Sequence, residues 1–151
     1  MSRTTKVFES TGPGRGVYRD ISVEPRVEAL TETHGFAEFT DGGGAVGTLT
    51  LQGSIPAGAV VLGTKVLVPE GFSGDVSAAM IIGDGDDTDR YNTSTIDVFT
   101  TAAAGVESGV PSGEKLQVAA VRPVLTVTTN ADFTSVDAGE VTVSIYYIRT
   151  S

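Results

Sequence analysis

GTLTLQGSIPAGAVVLGTKVLVPEGFSGDVSAAMIIG, residues 47 to 83, decides the fold class. It sets three apolar runs rich in β-branched residues between Gly/Pro turns. In the first, Ala45, Gly47, Leu49, Leu51 and Ile55 share one face with Thr48, Thr50 and Gln52 opposite, a period of two and not 3.6. That predicts a strand with one wet face. After Pro56-Ala57-Gly58, Val60 to Val68 is apolar on both parities apart from Thr64 and Lys65, as expected of a strand covered on both sides. This run is the candidate central core strand, ended by Pro69-Glu70-Gly71. Val76 to Ile82 repeats the doubly apolar character before the acidic loop DGDDTDRYN, Asp84 to Asn92.

Working outward from this block, Ile96 and Val98 mark a short strand, and Thr101 to Gly113 is small and flexible. Leu116 to Val121, Val124 to Thr129 and Val141 to Ile148 predict three more strands, with Asn130 to Asp132 and Asp137-Ala138-Gly139 as turns. Toward the N-terminus, Phe36 to Thr40 predicts a short strand closed by Asp41-Gly42-Gly43-Gly44. Pro25 to His34 offers the one plausible helical turn, since VEALTET holds good helix formers but is too short to stand alone. Val17, Arg19, Ile21 and Val23 alternate with polar residues, so a half-buried strand begins at Val17 and Pro25 limits it. Met1 to Gly16 lacks apolar periodicity and contains GPGRG at Gly12 to Gly16, the composition of a flexible arm that orders on a partner. The expected fold is all-β: an antiparallel β-sandwich of jelly-roll type spanning residues 17–151 as a single domain, with the arm at 1–16.

Composition narrows the function. At 151 residues, with 40% apolar residues, the chain supports one core, and its 19 Gly and 6 Pro suit a turn-rich β protein better than a helical one. Without cysteine there is neither a disulfide framework nor a thiolate metal site. No charged-then-apolar leader precedes a cleavage site, and no apolar run reaches the ~20 residues that span a bilayer. The expectation is therefore a chain without a membrane partner, made in the cytoplasm. The charge of −9 is uneven. Residues 1–26 hold Arg3, Lys6, Arg15, Arg19 and Arg26 against Glu9, Asp20 and Glu24, a net +2 that leaves −11 on the remainder. An acidic body disfavours nucleic acid, whose phosphates need a basic face. A mildly basic arm on it suits docking onto an acidic protein surface; a solubilising surface with a disordered arm accounts for the same charges.

The candidate chemical sites are few. Asp84, Asp86, Asp87 and Asp89 invite a calcium reading, because hard cations want several carboxylate oxygens from one loop. Against the standard loop, however, the sixth position is Asp89 where glycine belongs and the twelfth is Thr95 where glutamate belongs. A solvated turn between strands is the alternative. His34, the sole histidine, is the one candidate base for a catalytic triad, and its neighbours Thr33 and Gly35 suggest a loop or surface residue. With no Trp and four Tyr, the chain is poorly equipped for sugar stacking. GPGRG lacks the lysine and hydroxyl residue of a phosphate loop. No catalytic residue, cofactor or metal is assigned.

The segment from Leu49 to Val106 resembles capsid decoration, or cement, proteins and related small structural proteins of tailed bacteriophages. The resemblance lies in TLTLQGSIPAGAVVLGTKVLV, then MIIGDGDDTDRYNT after a Gly-containing turn, and later TAAAGV, a little over a third of the chain. It implies a non-enzymatic β-sandwich on the capsid exterior, a homotrimer at threefold and quasi-threefold sites that stabilises the head, with the major capsid protein as partner and an arm reaching onto neighbouring capsomers. The expected capsid contacts are Arg3, Lys6, Arg15, Arg19 and Arg26. The alternative is a tail, baseplate or head-fibre component that binds a host-surface glycan or protein through Asp84 to Asn92. A polysaccharide hydrolase ranks third.

Overall fold

The computed structural model describes residues 3–12, 15–23, 26–92, 94–109, 111 and 115–149; for 3–12, 15–23 and 102–109 the description is confined to backbone pairing. Eleven strands run through these residues: β1 (Arg3–Gly12), β2 (Arg15–Val23), β3 (Val27–Gly35), β4 (Thr40–Asp41), β5 (Val46–Thr50), β6 (Ala59–Ser73), β7 (Ala78–Gly83), β8 (Ile96–Asp97), β9 (Ala102–Gly109), β10 (Val124–Thr129) and β11 (Ala138–Arg149). The chain is an antiparallel β-sandwich. One sheet has the order β4-β5-β10-β7-β8, the other β3-β11-β6-β9, and β1 pairs with β2 in a separate two-stranded sheet. These orders establish the sandwich without confirming jelly-roll connectivity.

Alternation builds the core. Along β11, Val141, Val143 and Ile145 are fully buried while Thr142, Ser144 and Tyr146 lie on the half-exposed face. In β6 the alternation buries Val61 and, after changing phase at the register shift between Val61 and Gly63, Val66, Val68 and Phe72. These meet Met80 and Ile82 of β7 and Leu125 and Val127 of β10 in one hydrophobic cluster, the interdigitated interior that two facing sheets produce.

Several expectations change. The helical turn expected within Pro25 to His34 is strand β3, because nine registered pairs with β11, from Val27↔Ile148 to Gly35↔Glu140, override the helix propensity of VEALTET. Phe36–Glu38 is a single 3-10 turn where a strand was expected, and only Thr40–Asp41 pairs. Pro69 does not end β6. It falls between Leu67 and Glu70, where the register with β11 shifts, and a bulge is where a strand tolerates a residue without an N–H. Nor is β6 covered on both sides: Leu62 is 41% exposed. Within the segment expected to be flexible, Ala102–Gly109 forms β9 along β6. Conversely Leu116 to Val121 makes only isolated bridges, Leu116↔Val60 and Val121↔Ile55. The N-terminal residues pair as β1 with β2, from Arg3↔Val23 to Gly12↔Arg15.

Candidate functional site

Three constellations merit chemical scrutiny: His34, the acidic loop and the N-terminal cations. His34 lies next to the end of β3 on its inward face, opposite Val141, and is only 5% exposed. This corrects the loop or surface position expected of it. Its Nε2 is 2.7 Å from Glu32 Oε2 and its Nδ1 is 2.8 Å from Glu38 Oε2. Glu32 also leaves its own sheet: Oε2 accepts from Gln52 N at 3.0 Å and Oε1 from Gly53 N at 2.6 Å. Glu38 in turn accepts from Gly35 N at 2.9 Å. Gly53 permits the approach, since a Cβ there would collide with Leu30 Cδ1 and press on Glu32 Oε1 at 3.2 Å. The result is a clasp joining β3, the 3-10 turn and the segment after β5.

Burial disfavours the imidazolium, but the hydrogen bonds and charges of Glu38 and Glu32 outweigh it and hold the His34 pKa above its ordinary 6.5. For Glu32, burial is outweighed by the Gly53 and Gln52 N–H groups and His34, which hold its pKa below 4.5. His34, then the Gly35 N–H, lowers that of Glu38. With both ring nitrogens engaged by carboxylates, His34 has no free nitrogen to deprotonate a nucleophile. Its role is structural and pH-dependent. The histidine contribution is complete below 6.5 and lost as pH rises through the raised pKa; the carboxylate contribution is complete above 4.5 and lost as pH falls through the depressed ones. Urea midpoints are expected to be higher at about pH 5.5 than at about pH 8.5, and His34→Gln is expected to flatten that difference. An undiminished difference in the variant would assign the pH dependence to other groups.

The acidic loop is organised from within. Asp84 Oδ1 accepts from Asp86 N at 2.9 Å and Asp87 N at 2.8 Å, the local turn that short carboxylate side chains favour. Its Oδ2 lies 2.5 Å from Arg90 Nε, an ion pair out of line for a hydrogen bond. Gly83 lets the loop close, because a Cβ there would strike the carbonyl of Asp87. Behind it Tyr91, fully buried, donates its hydroxyl to Gln117 Oε1 at 2.8 Å, and Asn92 Oδ1 accepts from Ile82 N at 2.8 Å. Burial, then the charge of Asp84, raises the Tyr91 pKa, so its hydroxyl stays a donor. The half-buried Asp87 and exposed Asp89 carboxyls share a hydrogen bond that raises the Asp89 pKa. Among the described residues, no three His, Cys, Asp or Glu side chains are grouped to hold a metal ion.

Of the predicted contact cations, Arg3, Lys6, Arg15 and Arg19 all fall on the β1–β2 hairpin, opposite Val23, Asp20, Gly12 and Val7 respectively; their side chains lie outside the described residues. Arg26 is exposed immediately before β3. Glu32, Glu38 and Gln117 were not singled out in the sequence; Tyr91 falls within the Asp84 to Asn92 loop expected as an alternative binding face. Once β3 is read as a strand, the i, i+2 spacing of Glu32 and His34 places both on one face; the partners after β5 and Gln117 have no local signal.

No protein-family model matches this chain, and no curated protein sequence matches it. Among solved structures it is similar to the cyanophage Pam1 capsid asymmetric unit, at 21% identity and a TM-score of 0.48, over 93% of this chain and 93% of that one. It is also similar to the infectious bursal disease virus VP2 subviral particle, at 16% identity and a TM-score of 0.28, covering 95% of this chain and 42% of that one.

Proposed function

We propose that this chain is a structural virion protein that binds the outside of a tailed-phage capsid as a decoration or cement protein, as a homotrimer at threefold and quasi-threefold sites, and that it acts by binding without catalysis. The observation that carries the proposal is the separate β1–β2 sheet. It brings four of the five predicted cations onto one appendage of an otherwise acidic chain. A two-stranded hairpin is marginal alone in water, so an appendage of this kind gains order from what it binds. The major capsid protein is the partner, with Arg3, Lys6, Arg15, Arg19 and Arg26 making the contacts. Both ring nitrogens of His34 are engaged by Glu32 and Glu38, and Asp84 is engaged within its own loop by Asp86 N, Asp87 N and Arg90. The resemblance of Leu49 to Val106 to small phage structural proteins supports the same reading. A protein that binds the mature lattice and not its unassembled subunits stabilises the shell by mass action, and needs no chemistry to do so.

Deleting residues 1–23 is expected to abolish sedimentation with purified heads, while the remaining body keeps its fold by circular dichroism, because among the described residues no sheet pairing joins the hairpin to the sandwich. Undiminished binding overturns the assignment of the contacts. Mass spectrometry of purified particles tests the role itself: near-stoichiometric abundance relative to the major capsid protein supports decoration, and a few copies per particle assign the chain to the tail or a fibre.

A further inference from the structure

We infer that the turn joining the two sheets at one edge of the sandwich is a pH-released latch: on losing its proton, His34 keeps its bond to Glu32 and lets go of Glu38, which frees the Phe36–Glu38 turn while the sandwich stays closed. The place of this turn gives its release a consequence. β3 is the edge of one sheet and β4 the edge of the other, and the 3-10 turn with Phe39 is the whole connection between them. Phe39 is buried, edge-on to Phe72 of β6. The grip of His34 on Glu38 therefore sets how firmly the seam between the sheets is held at this edge. The inference is independent of the capsid reading.

Donor counting determines which carboxylate is released. The imidazolium donates from Nε2 to Glu32 Oε2 at 2.7 Å and from Nδ1 to Glu38 Oε2 at 2.8 Å. Neutral imidazole carries one N–H and one lone pair, so it serves one carboxylate and repels the other. The two carboxylates are not equivalent. The Glu32 side chain is 15% exposed and is fixed across the seam by Gln52 N and Gly53 N. That of Glu38 is 50% exposed, and its bond from Gly35 N closes within the turn itself. Water replaces a lost donor at Glu38 far more readily than at Glu32, where a carboxylate short of donors is costly. The remaining proton therefore stays on Nε2. Nδ1 then meets Glu38 Oε2 lone pair to lone pair, and the half-exposed carboxylate turns outward.

Among the described residues, the charges that face His34 are those of Glu32 and Glu38, and these hold its pKa above 6.5. On β11, Val141 lies opposite His34, with Glu140 and Thr142 on the alternate, outward parity. Across the seam, residues 51–55 carry no charged side chain; the exposed Arg122 reaches this segment by donating from Nε to Leu51 O at 2.7 Å. On β4, Asp41 is exposed and accepts from Gly43 N at 2.8 Å. Release thus follows the titration of His34 alone.

Nuclear magnetic resonance of the full chain tests this directly, because His34 is the sole histidine. Below its titration both ring nitrogens are expected to be protonated; above it, Nε2 keeps its proton and Nδ1 is bare. The Phe39 N–H bonds to Phe36 O at 3.1 Å and that of Gly35 to Glu38. Across the titration, exchange of both amides, corrected for its intrinsic rise with pH, is expected to quicken at least about tenfold, as befits loss of a hydrogen bond to a charged group. Gln52 and Gly53 are expected to change less than about threefold, since their acceptor keeps its place. Glu38→Gln is expected to keep Gly35 and Phe39 protected on both sides of the titration, because an amide can donate to the bare Nδ1 while still accepting from Gly35 N. A neutral ring protonated on Nδ1 overturns the proposal, as does opening at Gly53 equal to that at Phe39. Quickening that persists in Glu38→Gln also overturns it, by assigning the opening to another group.

Discussion

Glu32→Ala is expected to destabilise the protein by about 2–4 kcal/mol, far more than a surface carboxylate change. The side chain accepts from Gln52 N, Gly53 N and His34 Nε2. A hydrogen bond to a charged group contributes about 1.5–3 kcal/mol, and removing the acceptor leaves each donor in need of a partner. The full sum does not apply, because Glu32 is 15% exposed and water recovers part of the loss. The internal comparison is Glu28→Ala on the same strand, whose partner Arg149 is 59% exposed; an exposed pair of that kind contributes about 0–1 kcal/mol. Guanidinium unfolding at constant slope separates the two. Equal losses would show that Glu32 does not join the sheets.

Phe72→Ala is expected to cost about 3–5 kcal/mol, the range for truncating a buried aromatic. Phe72 is fully buried on β6, edge-on to Phe39 with ring centroids 5.6 Å apart and planes at 86°. Phe39 also contacts Phe133 at 6.0 Å, so one truncation loosens an aromatic chain between loops of both sheets. The opposite side is backbone: a Cβ at Gly139 would lie 2.7 Å from the Phe72 ring, and Gly139 has φ 146°, where side chains are rarely accommodated. Backbone so placed collapses poorly into the void, which sets the expectation toward the upper end. Thermal and denaturant unfolding of Phe72→Leu beside Phe72→Ala would test this: equal losses would refute a cavity as the cause.

The two variants also mark where sequence reading succeeds and where it stops. Phe72 follows the run that revealed the sandwich, and the strands around it were legible because a side chain in a sheet alternates between water and core. Val124–Thr129 and Ala138–Arg149 contain the runs their patterns predicted. By contrast, β3 was concealed. Its inward positions carry Glu28, Leu30, Glu32 and His34, so apolar alternation is broken by the residues that form the clasp. Thr101 to Gly113 was illegible for a different reason: Ala and Gly have no local preference for the sheet, and β9 exists because β6 offers it an edge.

The sequence by itself determined the fold class, the lack of thiolate chemistry and the separation of a basic N-terminal segment from an acidic body, since composition and a period of two are local properties. Only the tertiary structure decided that His34 is buried between two carboxylates, that Asp84 is engaged by Arg90, and that Val27, Ile148, Val60 and Leu116 form one band. The burial of His34 and the alignment of the band depend on register between strands distant in the chain, whereas the Asp84–Arg90 pair closes within one loop. A slip of one residue turns every side chain to the opposite face, and no local pattern encodes that choice; the joint burial of both sheets does.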